Sequence, residues 1–197
     1  MHKKLRIAAL VIGFAVSLWV PLVVAQDNTF ELDPAKSRVE YTVSTTLHNV
    51  HGTFQVKSGT VHFNPSTGVA SGLVLVDATS GDSGNESRDK KMHKEILESQ
   101  KFSEMSFVPT KVTGAIAGDS STLEIEGTFR LHGSDHSIKA SIPVQVNGNL
   151  LTADCKFVVP YVEWGLKNPG NFLLHVSDKV DVSVVASGHL TQAVAQR

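Results

Sequence analysis

Residues 77–93 read DATSGDSGNESRDKKMH and interrupt an otherwise regular pattern of strands. On both sides of this segment apolar and polar residues alternate, which is the period of a strand with one buried face. Inside it a run of Ser, Gly, Asp and Asn indicates a loop, and Ser83 followed by Glu86 predicts a capping box that opens a short helix. Met92 and Ile96 give that helix one apolar edge. The segment therefore predicts a β structure interrupted once, by a loop and a helix that could close one end of it.

The N-terminal residues 1–26 read MHKKLRIAALVIGFAVSLWVPLVVAQ, with basic residues ahead of an uncharged apolar run. This layout, with the small residue Ala25 before Gln26, is typical of a cleaved secretory signal peptide. An uncleaved anchor is the alternative, because the run approaches the length of a membrane span; Pro21 and Ala25 favour cleavage. We therefore expect a signal peptide at residues 1–25, one domain at 26–190, a C-terminal tail at 191–197, and an exported protein without a stable membrane span.

The composition excludes several classes of function. Removing residues 1–25 from a chain of 197 leaves 172 residues, a length typical of one domain with a real core. This also removes three basic residues, which leaves 15 basic against 19 acidic side chains and argues against a nucleic-acid partner. The single cysteine, Cys155, cannot form an internal disulfide, and its place in a strand-like run indicates a small core residue.

The alternation predicts an all-β domain. The pattern is clear at Val39, Tyr41 and Val43, and clearest in the pair of runs 123–131 and 138–146 around Gly133, which predicts a hairpin. About eight such strands with short turns and one helix indicate a barrel or a sandwich. Closure into a barrel removes the open edges, and a barrel of about eight strands is just wide enough for one slender ligand. Alternation alone leaves open whether the interior is hollow or filled.

Two motifs raise the alternative of a hydrolase or a metal-binding protein. Residues 81–84, GDSG, spell the nucleophile stretch of trypsin-like proteases, and Ser83 would then need a histidine base. The chain is short for a double barrel, however, and places Ser83 where a helix cap is expected. His48 and His51 could start a metal site, but zinc requires three or four converging ligands and no HExxH motif exists. Each motif is therefore the less favoured interpretation.

Residues 29–190 resemble the YceI-like family of exported, lipocalin-like proteins. The resemblance is carried by these stretches: FELDPAKSRVEYTV at 30–43, VHGTFQVKSGTVHFNP at 50–65, the segment 77–93, EIEGTFRLHGSDHSI at 124–138, VEWGLKN at 162–168 and SDKVDVSV at 177–184. The most specific are residues 80–89 and the Leu-His-Gly of 131–133. Many relatives place the histidine and leucine directly after Arg-Asp, whereas this chain inserts Lys90 and Lys91 first.

The resemblance implies an extended antiparallel barrel of eight strands with one short helix near a mouth. It also implies an apolar pore for a polyisoprenoid or another long-chain lipid, a periplasmic location, no catalysis, and neither cofactor nor metal; a homodimer is left open. By alternation, we expect the pore to be lined by Val39, Tyr41, Val43, Leu47, Val61, Phe63, Phe107, Ile125, Phe129, Ile142, Val144, Phe157 and Val182. A polar mouth is expected at Arg88, His93 and Trp164.

Overall fold

The computed structural model describes residues 27–192, so the predicted signal peptide at 1–25 and residues 193–197 of the predicted tail lie outside the described residues. The strands are β1 (Asn28–Leu32), β2 (Arg38–Ser44), β3 (Asn49–Phe63), β4 (Ala70–Asp82), β5 (Glu104–Thr113), β6 (Ser120–Leu131), β7 (Ser134–Asn147), β8 (Leu150–Val159) and β9 (Val180–Gln192). A short 3₁₀ turn, Pro34–Lys36, joins β1 to β2. Between β4 and β5, helix α1 (Glu86–Lys91) continues into one π-helical stretch, Met92–Ile96.

The sheet closes on itself, as the sequence predicts. Strands β2 to β9 pair antiparallel in chain order, and β9 then pairs with β2. β1 lies in line with β2 in the same position of the ring, because both pair with β3 and β9: Phe30 lies opposite Val61 and Leu190, and Tyr41 opposite Gly52 and Val182. The predicted antiparallel barrel of eight strand positions is therefore confirmed.

The ring order fixes which connections share an end of the barrel. Because consecutive strands are antiparallel neighbours, the connections after β2, β4, β6 and β8 all lie at one end, here called the mouth. The connections after β3, β5 and β7 lie at the opposite end, here called the base. The helix is therefore at the mouth, together with the long β8–β9 loop formed by residues 160–179.

The predicted hairpin is β6 with β7. Its register runs from Ser120 opposite Gln145 to Leu131 opposite Ser134. The two residues between the strands, His132 and Gly133, both have positive φ, 52° and 78°. Such a two-residue turn matches the twist of the strands, and glycine adopts this backbone without steric cost.

Two strand boundaries differ from those that the residue pattern predicts. The last apolar run of the sequence predicts a strand over residues 172–190, but β9 begins at Val180. The side chains of Asn168 and Asn171 accept hydrogen bonds from backbone N–H groups just ahead of them, at Gly170, Leu173 and Leu174. These local bonds turn the chain and replace ladder pairing. Conversely, the apolar run at residues 72–76 predicts a short strand, whereas β4 extends from Ala70 to Asp82.

The helix starts later than the capping-box pattern predicts. Asn85 is the N-cap residue, and its Oδ1 accepts a bond from the N–H of Arg88 at 3.0 Å. Ser83 instead donates its hydroxyl proton to Asp89, and this bond ties the end of β4 to the helix. Within residues 27–192 no helix has both the length and the apolar character needed to cross a bilayer.

Two clusters of buried apolar side chains lie along the barrel. The cluster nearer the base includes Phe30, Phe63, Leu123, Val144 and Leu190. The cluster nearer the mouth consists of Ala78, Met105, Leu131, Val159, Tyr161 and Leu166. Ile96 of the π-helical stretch and Leu97, the residue after it, pack against the second cluster, so the helix lies over the mouth instead of projecting into solvent.

Candidate functional site

The barrel interior contains a cavity of about 340 Å³. Every strand contributes to its wall, and nearly all lining side chains are aliphatic or aromatic. The polar groups in the wall are few: the hydroxyl-bearing Tyr41, Tyr161 and Ser106 and the thiol of Cys155. Ligand pockets commonly have volumes of about 300–1,000 Å³, so the cavity has the size of a small-molecule site.

Twelve of the thirteen residues expected to line the pore do line this cavity. They are Val39, Tyr41, Val43, Val61, Phe63, Phe107, Ile125, Phe129, Ile142, Val144, Phe157 and Val182. Leu47 is the exception: its side chain is 78% exposed, because β2 ends at Ser44 and the alternation stops with it. The prediction for Leu47 is therefore wrong, whereas ligand contact by the other twelve stays a prediction.

The cavity also has lining residues that the strand pattern does not reveal. Met92, Ile96 and Leu97 reach it from the π-helical stretch and the residue after it, and the apolar edge of the predicted helix was their only sequence signal. Leu166, Pro169 and Val176 reach it from the β8–β9 loop. Loop residues follow no period, so no pattern could identify these three.

The helix and the loop together cover the mouth. Lys91 at the end of α1 donates a hydrogen bond from Nζ to the carbonyl oxygen of Pro169 at 3.0 Å. Since Pro169 lines the cavity and Met92 follows Lys91, this bond joins the two segments that border the opening. The helix has no ladder pairing, and the loop pairs with the barrel through a single bridge, Val176 to Thr45, so both are held by fewer backbone hydrogen bonds than the strands are.

Tyr41 marks the boundary between the strand wall and the helix. Its hydroxyl donates to the sulfur of Met92 at 3.4 Å, and its ring lies 5.4 Å from that of Phe54. Gly52 leaves room for the Tyr41 ring, and Gly81 for Phe54 and Met92, since a Cβ at Gly81 would come within 2.6 Å and 2.7 Å of them. Burial raises the pKa of Tyr41, so the group facing the mouth is a neutral phenol.

Two of the three residues expected to form a polar mouth, Arg88 and His93, use their polar groups within the protein. Arg88 donates from Nε and Nη2 to the hydroxyl and the carbonyl oxygen of Ser83, both at 2.8 Å. The ring nitrogens of His93 bond to the Gly81 carbonyl oxygen and the Ser99 hydroxyl.

Trp164, the third of them, stacks on His136 with ring centroids 3.8 Å apart. None of Arg88, His93 and Trp164 lines the cavity. Their contact with the polar end of a ligand stays a prediction.

Ser83 and His51, the residues behind the hydrolase and metal interpretations, make hydrogen bonds that are typical of structural residues. The hydroxyl of Ser83 lies between Asp89 and Arg88, which gives it a structural role at the start of the helix. His51 bonds through Nδ1 to the hydroxyl of Thr42 at 2.9 Å. Across residues 27–192 no three His, Cys, Asp or Glu side chains are grouped so that they could hold a metal ion.

Cys155 faces the cavity from the middle of β8. Burial, with a smaller contribution from the negative charge of Asp154, raises the pKa of the thiol from 9.0 to about 11. A thiol with so high a pKa is almost entirely protonated at neutral pH and is a poor nucleophile. Its expected role as a small hydrophobic wall residue agrees with this environment.

The raised pKa of Cys155 predicts a loss of stability in alkali. The unfolded thiol ionises near pH 9 and the folded one near pH 11, so the unfolded state loses its proton first and the free energy of unfolding falls between these values. We expect Cys155 to contribute a decline of about 2 kcal/mol over this window. Urea unfolding of the wild type and Cys155→Ala at pH 8, 9, 10 and 11 measures it. Parallel pH profiles for the two proteins would contradict the burial of this thiol.

The fold is shared with known bacterial structures. Burkholderia cenocepacia BcnA is 18% identical and superposes with a TM-score of 0.67, over 80% of this chain and 99% of that chain. A polyisoprenoid binding domain from Saccharophagus degradans, implicated in plant cell wall breakdown, is also 18% identical, with a TM-score of 0.64 over 82% of this chain and 98% of its own. The Campylobacter jejuni YCEI protein is 13% identical, with a TM-score of 0.51 over 95% and 94%. At these identities the likeness concerns the fold alone.

A sequence-level relationship covers most of the chain. No curated protein shows significant similarity to it. The YceI-like domain, in contrast, matches residues 30–187, from β1 into β9 and across the loop and helix at the mouth. The match thus spans all strands that form the cavity wall, and the chain belongs to the YceI-like domain family.

Proposed function

We propose that this protein is an exported carrier that binds a polyisoprenoid or a similar long-chain lipid inside its barrel. The observation that carries the proposal is the apolar cavity: its wall contains hydrocarbon side chains from all nine strands and no charged side chain. Membership in the YceI-like domain family and the fold shared with a polyisoprenoid binding domain support the same ligand class. The apolar run at residues 7–25 supports export.

The wall chemistry selects the ligand class. Each buried CH₂ group stabilises a complex by about 0.8 kcal/mol, so a hydrocarbon chain binds without specific polar contacts. A ligand with charges along its length would lose hydration and gain no partner in this wall, which costs several kcal/mol per charge. A slender chain with its only polar group at one end fits best, because that group can remain in water at the mouth.

Ligand linkage provides the test. Protein freed of lipid by unfolding and refolding is mixed with a long-chain prenol, and the melting temperature is recorded. At a free ligand concentration of about 100 times Kd, we expect an increase of about 5–10 °C for a domain of this size. An alcohol with a single isoprene unit serves as the control, since it buries too few CH₂ groups to bind.

Two further results bear on the proposal. Native mass spectrometry of protein that has not been delipidated should show a co-purifying lipid, and the protein recovered from the periplasmic fraction should start at Gln26. The absence of a melting shift with any prenyl or acyl chain would remove the carrier function. Recovery of the protein solely from the cytoplasmic fraction would remove the export component.

A further inference from the structure

Three large apolar side chains at the mouth point into solvent. Phe172 is 94% exposed, and Leu173 and Leu47 are each 78% exposed. They are the three most exposed large hydrophobic residues in the part of the chain that the structure describes. Isolated surface leucines are common, but a concentration of the most exposed apolar residues at one place indicates an interaction surface.

Backbone hydrogen bonds hold these residues on one rim. Leu47 lies in the β2–β3 turn, and Phe172 and Leu173 lie in the β8–β9 loop. The N–H of Thr46 donates to the carbonyl oxygen of His175 at 3.0 Å, and the N–H of His175 donates back to the Thr46 hydroxyl at 3.0 Å. The turn and the loop are thus joined next to the exposed side chains, and we call them together the apolar rim.

Hydrogen bonds fix the turn at the tip of the β8–β9 loop. Asn171 receives hydrogen bonds on its side-chain oxygen from the N–H groups of Leu173 and Leu174, both at 2.9 Å, and its own N–H donates to the Leu174 carbonyl oxygen. Because these bonds fix the backbone, the exposure of Phe172 and Leu173 belongs to the folded state. Their insertion into an apolar phase therefore costs little additional ordering.

The apolar rim is continuous with the cavity. Pro169 and Val176, which lie on either side of the tip, both line the cavity wall. Lys91 bonds to Pro169 and links the tip to the helix that covers the opening. An apolar phase that receives Phe172 and Leu173 would therefore lie directly against the mouth.

The charged side chains closest in sequence to the exposed apolar residues are basic. Residues 44–51 and 166–177 contain no Asp or Glu, and the acidic residues of the β8–β9 loop lie only near its two ends, at positions 163 and 178. Lys167 lies within the second segment, and Lys91 lies beside it. Asp178, near the C-terminal end of the loop, accepts a hydrogen bond from the side chain of Asn168 at 2.7 Å. This surface suits a partner that carries negative charge over an apolar interior.

We propose that the apolar rim docks on a phospholipid bilayer that contains anionic lipid, with Phe172, Leu173 and Leu47 in the interface and Lys91 and Lys167 near the phosphates. The inference rests on the proposed function, since docking would bring the cavity mouth against the phase that holds a lipid cargo. A protein partner fits less well: each side chain buries at most about 250 Å², and three fall short of the about 800 Å² per partner of a stable interface. Apolar side chains flanked by basic ones are typical of interfacial attachment.

Vesicle binding with a matched control tests the docking surface. The full chain is sedimented with vesicles of phosphatidylcholine, alone or mixed with phosphatidylglycerol. We expect Phe172→Ser/Leu173→Ser to weaken binding about tenfold or more, and phosphatidylglycerol to strengthen binding of the wild type. The control is Val69→Ser/Leu150→Ser, which removes two exposed apolar side chains at the base. Equal loss in both double variants would overturn the assignment to the rim.

A second readout reports on the rim independently of any membrane attachment by residues 1–25. Lipids brominated in the acyl chain should quench the tryptophan fluorescence of the Phe172→Trp variant but not that of the Leu150→Trp variant. The fluorescence of the wild type is subtracted from both. Equal or absent quenching of both would overturn the proposal. So would sedimentation velocity showing that Phe172→Ser/Leu173→Ser dissociates a dimer while vesicle binding is unchanged, because the rim would then be a self-association surface.

The melting test separates the two proposals. Phe172 and Leu173 do not line the cavity, so the rim variant should retain the full increase in melting temperature with prenol. If the wild type binds prenol but does not bind vesicles, the docking proposal is overturned and the cavity function is not. Loss of the prenol effect in the wild type overturns the cavity function, whatever the vesicles show.

Discussion

Replacing Ala153 with Phe is expected to lower the affinity for a long-chain lipid about a hundredfold or more while the barrel stays folded. Ala153 lies on β8 with its side chain in the cavity wall, opposite another alanine, Ala186 of β9. A phenyl group at this position would enter the cavity and occupy the space of the ligand. Displacing about four CH₂ groups removes about 3 kcal/mol of binding free energy, which corresponds to more than a hundredfold in Kd.

The matched control is Lys156→Phe. Lys156 is exposed on the same strand and faces away from the cavity, so the same ring is added to the outside of the barrel. Titration of all three proteins with a fluorescent prenol gives the affinities, and thermal unfolding verifies that each is folded. Unchanged affinity in a folded Ala153→Phe protein would mean that the lipid binds elsewhere than in the barrel.

Gly188→Ala should have the largest effect on stability, about 3 kcal/mol or more, or should prevent folding. Gly188 of β9 lies between Leu32 of β1 and Leu151 of β8. A Cβ atom here would overlap the carbonyl oxygen of Glu31 and lie 2.8 Å from the Cα of Leu32. Both obstacles are backbone atoms, so no rotamer change can relieve the overlap.

Hydrogen bonds around Gly188 prevent the strands from moving apart. Ser187 donates its N–H to the hydroxyl of Ser37 and accepts a bond from the N–H of Asp33 at 2.8 Å. The control is Gly118→Ala: Gly118 has a φ of 67° but no atom within 4 Å of an added Cβ, so we expect a cost of only about 1–2 kcal/mol. Urea unfolding measures both variants. Similar losses for the two would contradict the close approach of β1 and β9.

The strand period predicts most of the barrel and its cavity. Val39, Tyr41 and Val43 alternate with polar residues, and the period of two puts all three on the inside wall. The strand period no longer predicts burial where the strand ends. Leu47 continues the alternation in the sequence, but β2 stops at Ser44 and the following turn places Leu47 in solvent. A period is informative only while the backbone hydrogen bonds that enforce it persist.

The mouth is less predictable, because its contacts follow neither the strand period nor the helix period. Arg88 and His93 are polar residues near the opening, yet their hydrogen bonds go to Ser83, Ser99 and Gly81. No spacing rule reveals which of several acceptors a long side chain will use. For the same reason the contribution of Leu166 to the cavity depends on how the β8–β9 loop folds back, and that is fixed by asparagine bonds to the backbone.

The pairing of β9 with β1 and β2 determines when the barrel can close during folding. A hydrogen bond joins Ser37 to the carbonyl oxygen of Ser187, 150 positions later in the chain. Contacts over such separations form slowly, because a long loop must close before any pairing compensates the lost entropy. A chain that emerges from its N-terminus exposes two unpaired strand edges until its final strand arrives. The cavity is therefore enclosed only after the last strand has paired with the first two.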